Sequence, residues 1–298
     1  MWAMEDPESM AAKGSTSRRA SGAEQNIQDI QQASAEQQEG DEETGTRSPG
    51  NRSLERGIEI LRAFRPGSDL LGNGELAERA GLPRATVSRL TRTLVDAGLL
   101  EEDRRHRAYR LAAPVLSLAH AMRSGSPVLA SAGPMMRALA EKLRVNVGLA
   151  VADRDDMIYL ESVRYARRVS LRNVVAGQRV PIELTSLGRA WLAVAPRRER
   201  EATLQRLRER RSKGVEALLE EIEQAAESVR DKGYCWASWQ PQVLSLATPL
   251  AVPGHPVYVL NISVGDAMTP EQAEQFVSTL SEPLMALAAE IREVIAQI

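Results

Sequence analysis

The chain has 298 residues, 43% of them apolar, which is enough for about two domains that each bury a core. Its single cysteine, Cys235, excludes an internal disulfide and a cysteine-rich metal site. No apolar run approaches the roughly 18 residues of a membrane span, and the N-terminus has no apolar signal core, so we expect a cytoplasmic protein without membrane contact, metal or cofactor.

Charge is distributed unevenly along the chain. Residues 1–50 contain four basic and ten acidic residues, whereas residues 51–110 contain twelve basic and nine acidic ones. Residues 1–50 also have few large apolar side chains, so they cannot offset the entropy of ordering and are predicted to be a disordered acidic tail. Its acidic segment, Glu36 to Glu43, is either inert or a weak competitor for nucleic acid, and truncation near Gly50 distinguishes the two.

The first predicted helix begins near Ser53. Leu54, Ile58, Leu61 and Phe64 recur at helical spacing, and the Pro-Gly pair that follows ends the pattern. We expect this amphipathic helix to pack on the two helices that come next.

Two shorter helices joined by a tight turn are predicted over residues 73–98. Asn73 is a favoured N-cap for the first helix, and Gly81 supplies the turn. Pro83 is preorganised for the first position of the second helix, and Gly98 is typical of the residue just past a helix end. This is the pattern of a helix-turn-helix.

The second helix of this pair has two different faces. Val87, Leu90 and Leu94 form an apolar stripe that must face a core, whereas the opposite face is small, polar and basic. Such a face suits a DNA major groove, and the alternative is a surface helix with solvated arginines. Six residues of this helix are predicted to contact DNA: Arg84, Ala85, Thr86, Ser88, Arg89 and Arg92. Of these, Arg84 and Thr86 are predicted to bind phosphates.

A short hairpin is predicted directly after these helices. Residues 99–101 and 109–111 read as two strands, and the loop between them is basic. Three helices followed by a hairpin indicate a winged helix-turn-helix over residues 51–113. The wing residues predicted to reach phosphates or the minor groove, rather than form a solvated turn, are Arg104, Arg105 and Arg107.

The remaining chain is predicted to form a linker helix within residues 114–129 and an α+β domain over residues 130–298. The apolar side of the linker helix suits a dimer partner. Predicted strands are 145–151, 157–163, 169–171, 180–184, 234–236, 243–249 and 257–264. Predicted helices are 135–143, 185–195, 197–212, 215–232 and, from a capping box at Thr269, either one helix kinked at Pro283 or a helix pair.

Several short stretches in a fixed order resemble the isocitrate-lyase-regulator (IclR) family of bacterial transcription regulators over residues 52–298. These stretches are RSLER at 52–56, ELAE at 75–78 with GLP at 81–83, TVSRL at 86–90, LGRA at 187–190 and GY at 233–234. The resemblance implies a winged helix-turn-helix joined to a GAF-like domain with a central antiparallel sheet. It also implies a bound small-molecule effector, and a homodimer or a dimer of dimers.

The resemblance also implies where an effector would bind. Matched position by position, the family's pocket residues correspond to Ser186, Leu187, Ser245, Asn261 and Ser263. The free amides of a helix start near Ser186 favour an anion, and polar side chains can bind carboxylate or hydroxyl oxygens. The alternative is that these polar residues only satisfy the ends of strands.

Departures from the family pattern affect the predicted ligand. Glu183 stands where the family often has histidine, and Ser245 where it has cysteine. Residues 237–241 carry less charge and more indole than the family's acidic stretch. Trp239, with Trp236, is therefore predicted to stack on a flat ligand such as an aromatic acid, against the alternative of core or interface packing.

Three functions remain distinguishable by experiment. We expect a DNA-binding transcriptional regulator, a repressor, controlled by a small organic or aromatic acid, although the residues leave open whether the effector releases or promotes DNA binding. A ligand-independent DNA binder would keep its operator affinity with every metabolite. An enzyme is not expected, because the three histidines, at 106, 120 and 255, fall outside any catalytic or metal spacing.

Overall fold

The computed structural model of the chain describes residues 50–165, 175–211, 213–240, 243–265 and 269–298. The predicted tail up to residue 49 and the predicted strand at 169–171 lie outside these ranges. Within the ranges, no helix is long and apolar enough to cross a membrane.

The N-terminal region contains three helices, α1 (Arg52–Arg62), α2 (Asn73–Ala80) and α3 (Arg84–Asp96). They surround a small core in which Ile60, Leu76 and Val87 are fully buried. The predicted apolar stripe of α1 is only partly internal, because Leu54 and Ile58 are 63% and 43% exposed. The helix therefore buries part of its apolar side in the core and leaves the rest exposed to solvent.

Helix boundaries differ by one residue from the predictions at two places. Asn73 is the first residue of α2 rather than its N-cap, because Gly72 takes the extended cap conformation and its N–H donates to Glu75 Oε2 at 3.1 Å. Pro83 is likewise the cap residue before α3, not its first helical residue. Gly81 has φ +65°, as the turn between the two helices requires.

The predicted hairpin is present and belongs to a three-stranded sheet. The strands β1 (Leu71–Gly72), β2 (Leu100–Asp103) and β3 (Ala108–Leu111) lie in the order β1-β3-β2 and are antiparallel. The short strand β1 was not predicted, because two residues are too few to show a strand pattern. It ties the segment before α2 to the base of the wing.

Two helices connect this region to the second sheet. The sequence predicted a linker helix and a separate, shorter helix after it. The two observed helices are α4 (Ala113–Ser124) and α5 (Pro127–Leu143). Ser126 caps α5 by accepting the Leu129 N–H at 3.3 Å, and Pro134 lies inside the helix. The boundary predicted at residue 130 therefore falls within α5, which begins at the proline favoured at a first helical position.

The C-terminal region is built on a six-stranded antiparallel sheet. Its strands, in the spatial order β6-β5-β4-β9-β8-β7, are β4 (Asn146–Asp153), β5 (Asp156–Val163), β6 (Arg179–Pro181), β7 (Cys235–Gln240), β8 (Val243–Leu250) and β9 (Tyr258–Gly265). Strand β6 is shorter than the predicted 180–184, because residues 182–184 form a turn into the next helix.

Helices cover both faces of this sheet. α5 and α9 (Pro270–Ala296) pack on one face, and α6 (Ser186–Val194), α7 (Arg197–Arg210) and α8 (Val215–Lys232) pack on the other. The C-terminal segment is one helix through Pro283, and Thr269 and Gln272 form the predicted capping box. The α+β architecture with a central antiparallel sheet is thus as predicted.

Alternation along β9 brings polar side chains to one face of the sheet. Leu260 and Ile262 belong to the core under α5 and α9, whereas Val259 belongs to the core under α6 to α8. Asn261 shares the face of Val259, because successive residues of a strand point to opposite sides. A polar group therefore lies beside the start of α6.

Candidate nucleic-acid interface and ligand cavity

The predicted DNA contacts on α3 share one outward surface. Val87 and Leu90 anchor the opposite side of the helix in the core, and the Thr91 hydroxyl donates to the Val87 carbonyl oxygen at 2.9 Å. Thr86 is half-buried, and the exposed residues are Arg84, Ala85, Ser88, Arg89 and Arg92. The helix thus presents the small, basic face that its sequence predicted.

The start of α2 adds a feature that sequence reasoning missed. A Cβ placed on Gly74 would lie 3.5 Å from Nη2 of Arg84, an ordinary van der Waals distance, so this guanidinium lies beside the helix start. The first amides of a helix have no partners within it and favour an anion. Gly72 and Gly74, which flank the first residue of α2, were the available sequence signal. Arg84 and these amides together suit one phosphate.

The wing is braced by one carboxylate. The N–H of His106 donates to Asp103 Oδ1 at 3.0 Å, and Arg110 Nη2 donates to Asp103 Oδ2 at 2.6 Å. Hydrogen bonds from His106 above all, and from Arg110, hold the pKa of Asp103 below its usual value. The wing arginines, which are all exposed, are Arg104, Arg105 and Arg107. Arg104 lies 4.0 Å from the Glu102 carboxylate, and the exposed guanidinium groups of this braced turn can reach a phosphate backbone.

Three of the predicted effector residues meet in one buried cluster. The Ser186 hydroxyl donates to Ser245 Oγ at 2.9 Å, and Asn261 Nδ2 donates to the same oxygen, also at 2.9 Å. These residues come from α6, β8 and β9 and are at most 7% exposed. Thr185 caps α6 by accepting the Gly188 N–H at 3.2 Å, which aims the first turn of the helix at the cluster.

A cavity of about 90 Å³ adjoins this cluster. Asn261 and Ser263 line it together with Asn146, Gly148 and Tyr159. Among the described residues, the Oδ1 atoms of Asn146 and Asn261 are buried without a hydrogen-bond partner. Two such oxygens on one cavity call for a donor that the described residues do not provide, such as a ligand or an ordered water.

Gly148 and Tyr159 shape the cavity and were missed by sequence reasoning. A Cβ on Gly148 would lie 2.5 Å from Asn261 Oδ1 and from Cε1 of Tyr159, so only glycine permits this approach. Burial raises the pKa of the Tyr159 phenol, and the neighbouring Asn261 amide opposes this shift. Tyr159 is therefore a neutral hydroxyl that can donate or accept.

Two predicted effector residues lie outside this arrangement. Leu187 is 1% exposed and packs in the core beneath α6, so that only its backbone faces the helix start. Trp239 lines a different cavity, of about 570 Å³, along strand β7, together with Trp236 and Arg189. The Arg189 guanidinium is already bound to the Glu183 carbonyl oxygen and the Glu221 carboxylate. The structure thus separates the indoles from the serine and asparagine cluster.

The described ranges contain no group of three or more His, Cys, Asp or Glu side chains that could hold a metal. Burial raises the pKa of the Cys235 thiol to about 12, so it is not a thiolate nucleophile at neutral pH.

Comparisons with known proteins agree with this architecture. The family described as "IclR helix-turn-helix domain" matches residues 53–104, and "Bacterial transcriptional regulator IclR C-terminal" matches residues 120–291. A curated relative, the HTH-type transcriptional regulator TsaQ1/TsaQ2 of Comamonas testosteroni, is 40% identical over 157 residues. That alignment covers 52% of this chain and 56% of the relative.

Solved structures extend the similarity to most of the chain. An IclR family transcriptional regulator from Brucella abortus is 33% identical with a TM-score of 0.72, covering 81% of this chain and 91% of that one. An IclR homologue from Microbacterium hydrocarbonoxydans, solved in complex with 4-hydroxybenzoate, shares the fold at 21% identity, with a TM-score of 0.60 and coverage of 83% and 100%. The chain belongs to the IclR family of bacterial transcriptional regulators.

Proposed function

We propose that the chain is a repressor whose DNA affinity changes when a small organic acid binds beside α6. The winged helix-turn-helix of residues 51–113 would contact the operator, and residues 130–298 would bind the effector. The observation that carries the DNA-binding part is the exposed basic face of α3, which is held outward by a buried apolar stripe.

Within the operator, α3 would occupy the major groove. Arg89 and Arg92 offer paired donors to guanine, Ser88 reaches a base edge or phosphate, and Ala85 fits a thymine methyl group. Arg84 and Thr86, at the helix start, would bind phosphate. The wing arginines Arg104, Arg105 and Arg107 would add contacts that are sensitive to salt but not to sequence.

A dimer would place two copies of α3 in successive major grooves, about 34 Å apart on a near-palindromic site. The support is helix α4, which has no buried residue. Its Leu118 and Met122, which share one face at i and i+4, are 63% and 54% exposed, and Leu116, toward the other side of the helix, is 74% exposed. We propose a homodimer through this surface, or a dimer of dimers that retains it.

The effector would bind at the cavity beside Asn261. Asn261 and Ser263 line this cavity, and Ser245, bound in turn to Ser186, holds the Asn261 amide from behind. The first amides of α6, at Leu187, would suit a carboxylate that reaches them. The cavity of about 90 Å³ fits a small acid. An aromatic ring occupies a cavity of roughly 150 Å³, so an aromatic acid would have to widen the site. A separate site at Trp239 is less favoured, because Glu221 already neutralises its arginine.

Selection from genomic DNA tests this function directly. The purified chain is mixed with fragments of its own genome, bound fragments are sequenced, and the affinity for the enriched fragment is measured with and without a panel of small and aromatic acids. We expect enrichment of a near-palindromic site and a change in affinity with at least one acid. Binding that shows no preference over random duplex would overturn the proposal.

The effector site has its own test with matched variants. Tryptophan fluorescence is titrated with the active acid in Ser245→Ala, which removes the central oxygen of the cluster, and in Ser238→Ala, an exposed serine of β7. We expect the response to weaken only in Ser245→Ala. Equal responses in both variants would move the effector away from the cavity beside Asn261.

A further inference from the structure

A third cavity, of about 480 Å³, lies between the winged-helix region and the turn that joins β4 to β5. It shares no lining residue with the cavity beside Asn261. Arginines from both regions line it, three from each: Arg62, Arg65 and Arg79 from the first, and Arg154, Arg179 and Arg210 from the second.

The carboxylates around this cavity are already held by arginines. Asp156 forms ion pairs with Arg65 at 3.2 Å and with Arg179 at 3.0 Å. Asp155 forms ion pairs with Arg206 at 2.7 Å and with Arg210 at 3.3 Å.

The remaining two carboxylates are Glu59 and Asp153. Glu59 pairs with Arg154, and Asp153 pairs with Arg62 and Arg179. Burial would raise the pKa of Asp153, but hydrogen bonds from these two arginines outweigh it and hold the pKa below its usual value. The hydrogen bond from Arg154 likewise holds the pKa of Glu59 below its usual value, so Glu59 and Asp153 stay ionised at neutral pH.

Positive charge exceeds negative charge around the cavity even so. Seven arginines, counting Arg206, face these four carboxylates, and arginine remains protonated at any physiological pH. Arg79 donates to the Ala63 carbonyl oxygen at 3.1 Å, and it takes part in no ion pair within the described part of the chain. Seven guanidinium groups against four carboxylates leave an excess of three positive charges among these described residues.

We propose that this cavity binds a small anion with two or more negative charges, such as a phosphorylated or polycarboxylate metabolite. Guanidinium groups form paired hydrogen bonds with phosphate and carboxylate oxygens, and a partly enclosed cavity of one sign concentrates the opposite charge. Because each region contributes three arginines, the anion bridges the winged helix to the sheet domain. The site is thus separate from the proposed effector cavity and independent of it.

Calorimetric titration of the full chain with inorganic pyrophosphate, at constant ionic strength with sodium chloride as the control salt, tests this site. The critical variant is Arg210→Gln, which leaves Asp155 paired with Arg206, and its matched control is Arg208→Gln, an exposed arginine of the same helix. We expect saturable binding by the wild type and by Arg208→Gln. Arg210→Gln should bind about tenfold more weakly, the size expected for one hydrogen bond to a charged group.

Further variants keep the test decisive. Arg79→Gln changes the opposite wall and should also weaken pyrophosphate binding, so the result does not depend on α7 alone. Equal affinity in Arg210→Gln, Arg79→Gln and the control would overturn the proposal, as would the absence of saturable heat in the wild type. If Ser245→Ala abolishes pyrophosphate binding and Arg210→Gln does not, the anion occupies the other cavity. If the arginine variants weaken only duplex DNA binding, these residues contact DNA instead, and the proposal is again wrong.

Discussion

Replacing Ser245 with alanine should destabilise the sheet domain because its Oγ is the shared acceptor of two buried donors. The Ser186 hydroxyl and Asn261 Nδ2 both lie 2.9 Å from it. The hydroxyl can rotate toward another acceptor, whereas the amide cannot. A buried donor without a partner costs about 1–3 kcal/mol, so we expect a loss of about 2–3 kcal/mol.

Urea unfolding followed by tryptophan fluorescence measures this loss. Three of the four tryptophans, Trp191, Trp236 and Trp239, lie in the sheet domain, so the signal reports on that domain. With a slope of about 2 kcal/mol/M, the unfolding midpoint should fall by about 1–1.5 M. Ser238→Ala, on the exposed part of β7, should change stability by less than about 0.5 kcal/mol.

A double variant separates the lost hydrogen bonds from a general packing defect. Combining Ser245→Ala with Asn261→Leu replaces both partners of one bond by apolar groups, so the double variant should lose less than the sum of the two single losses. Additive losses, or a Ser245→Ala midpoint equal to that of Ser238→Ala, would refute the view that this oxygen organises the cluster.

Three other predictions follow from separate parts of the molecule. Arg89→Ala should lower the preference for the operator over random DNA by about tenfold or more. Arg105→Ala should instead weaken binding to all sequences alike and reduce the slope of log affinity against log salt concentration by about one. Fluorescence anisotropy titrations of both duplexes at several salt concentrations test this, and identical results for the two variants would contradict it. Gly188→Ala should lower the melting temperature by about 6–10 °C, because a Cβ there overlaps a neighbouring backbone carbonyl and costs about 3 kcal/mol. Gly133→Ala should leave the melting temperature unchanged, because nothing lies within 4 Å of a Cβ at that position. Scanning calorimetry of both variants tests this, and equal melting temperatures would contradict it. The lowered pKa of Asp153 contributes stability above its unfolded pKa of about 3.9, and this stability is lost as the pH falls through its pKa in the folded protein. Asp153→Asn should therefore flatten the fall of the urea unfolding midpoint below pH ~5. An unchanged pH profile would contradict the ion pairing.

Local patterns in the sequence predicted most of the elements because helix and strand periodicity depend on neighbours a few residues apart. The core stripe of α3 at Val87 and Leu90 is one such case. Helix starts were displaced by one residue at Asn73 and Pro83, because cap and first-turn positions favour overlapping residue types. The exposure of Leu54 and Ile58 was not predicted, since periodicity shows that a face is apolar but not what covers it.

Only some of the residues around the cavity beside Asn261 were predicted, because which residues meet there depends on the register of the strands. Ser245 and Asn261 were found by resemblance, and their hydrogen bond follows from the pairing of β8 with β9. Gly148 lies directly opposite Asn261 in the pairing of β4 with β9, more than a hundred residues away in the chain. Nothing near Gly148 or Tyr159 in the sequence indicates this partner. The same reasoning explains why Trp239, which is close to Ser245 in sequence, lines a different cavity.

The contact between the winged helix and the sheet domain has the strength that a regulatory switch requires. Arg62 with Asp153, Arg65 with Asp156, and Arg154 with Glu59 join the two regions as partly exposed ion pairs. Such pairs contribute about 0.2–1 kcal/mol each, so the three together supply about 0.6–3 kcal/mol. An effector changes the affinity for DNA through a coupling of this same size, about 1–3 kcal/mol. A buried apolar interface would be too strong for a small acid to release, whereas these ion pairs can be formed or broken by one bound ligand.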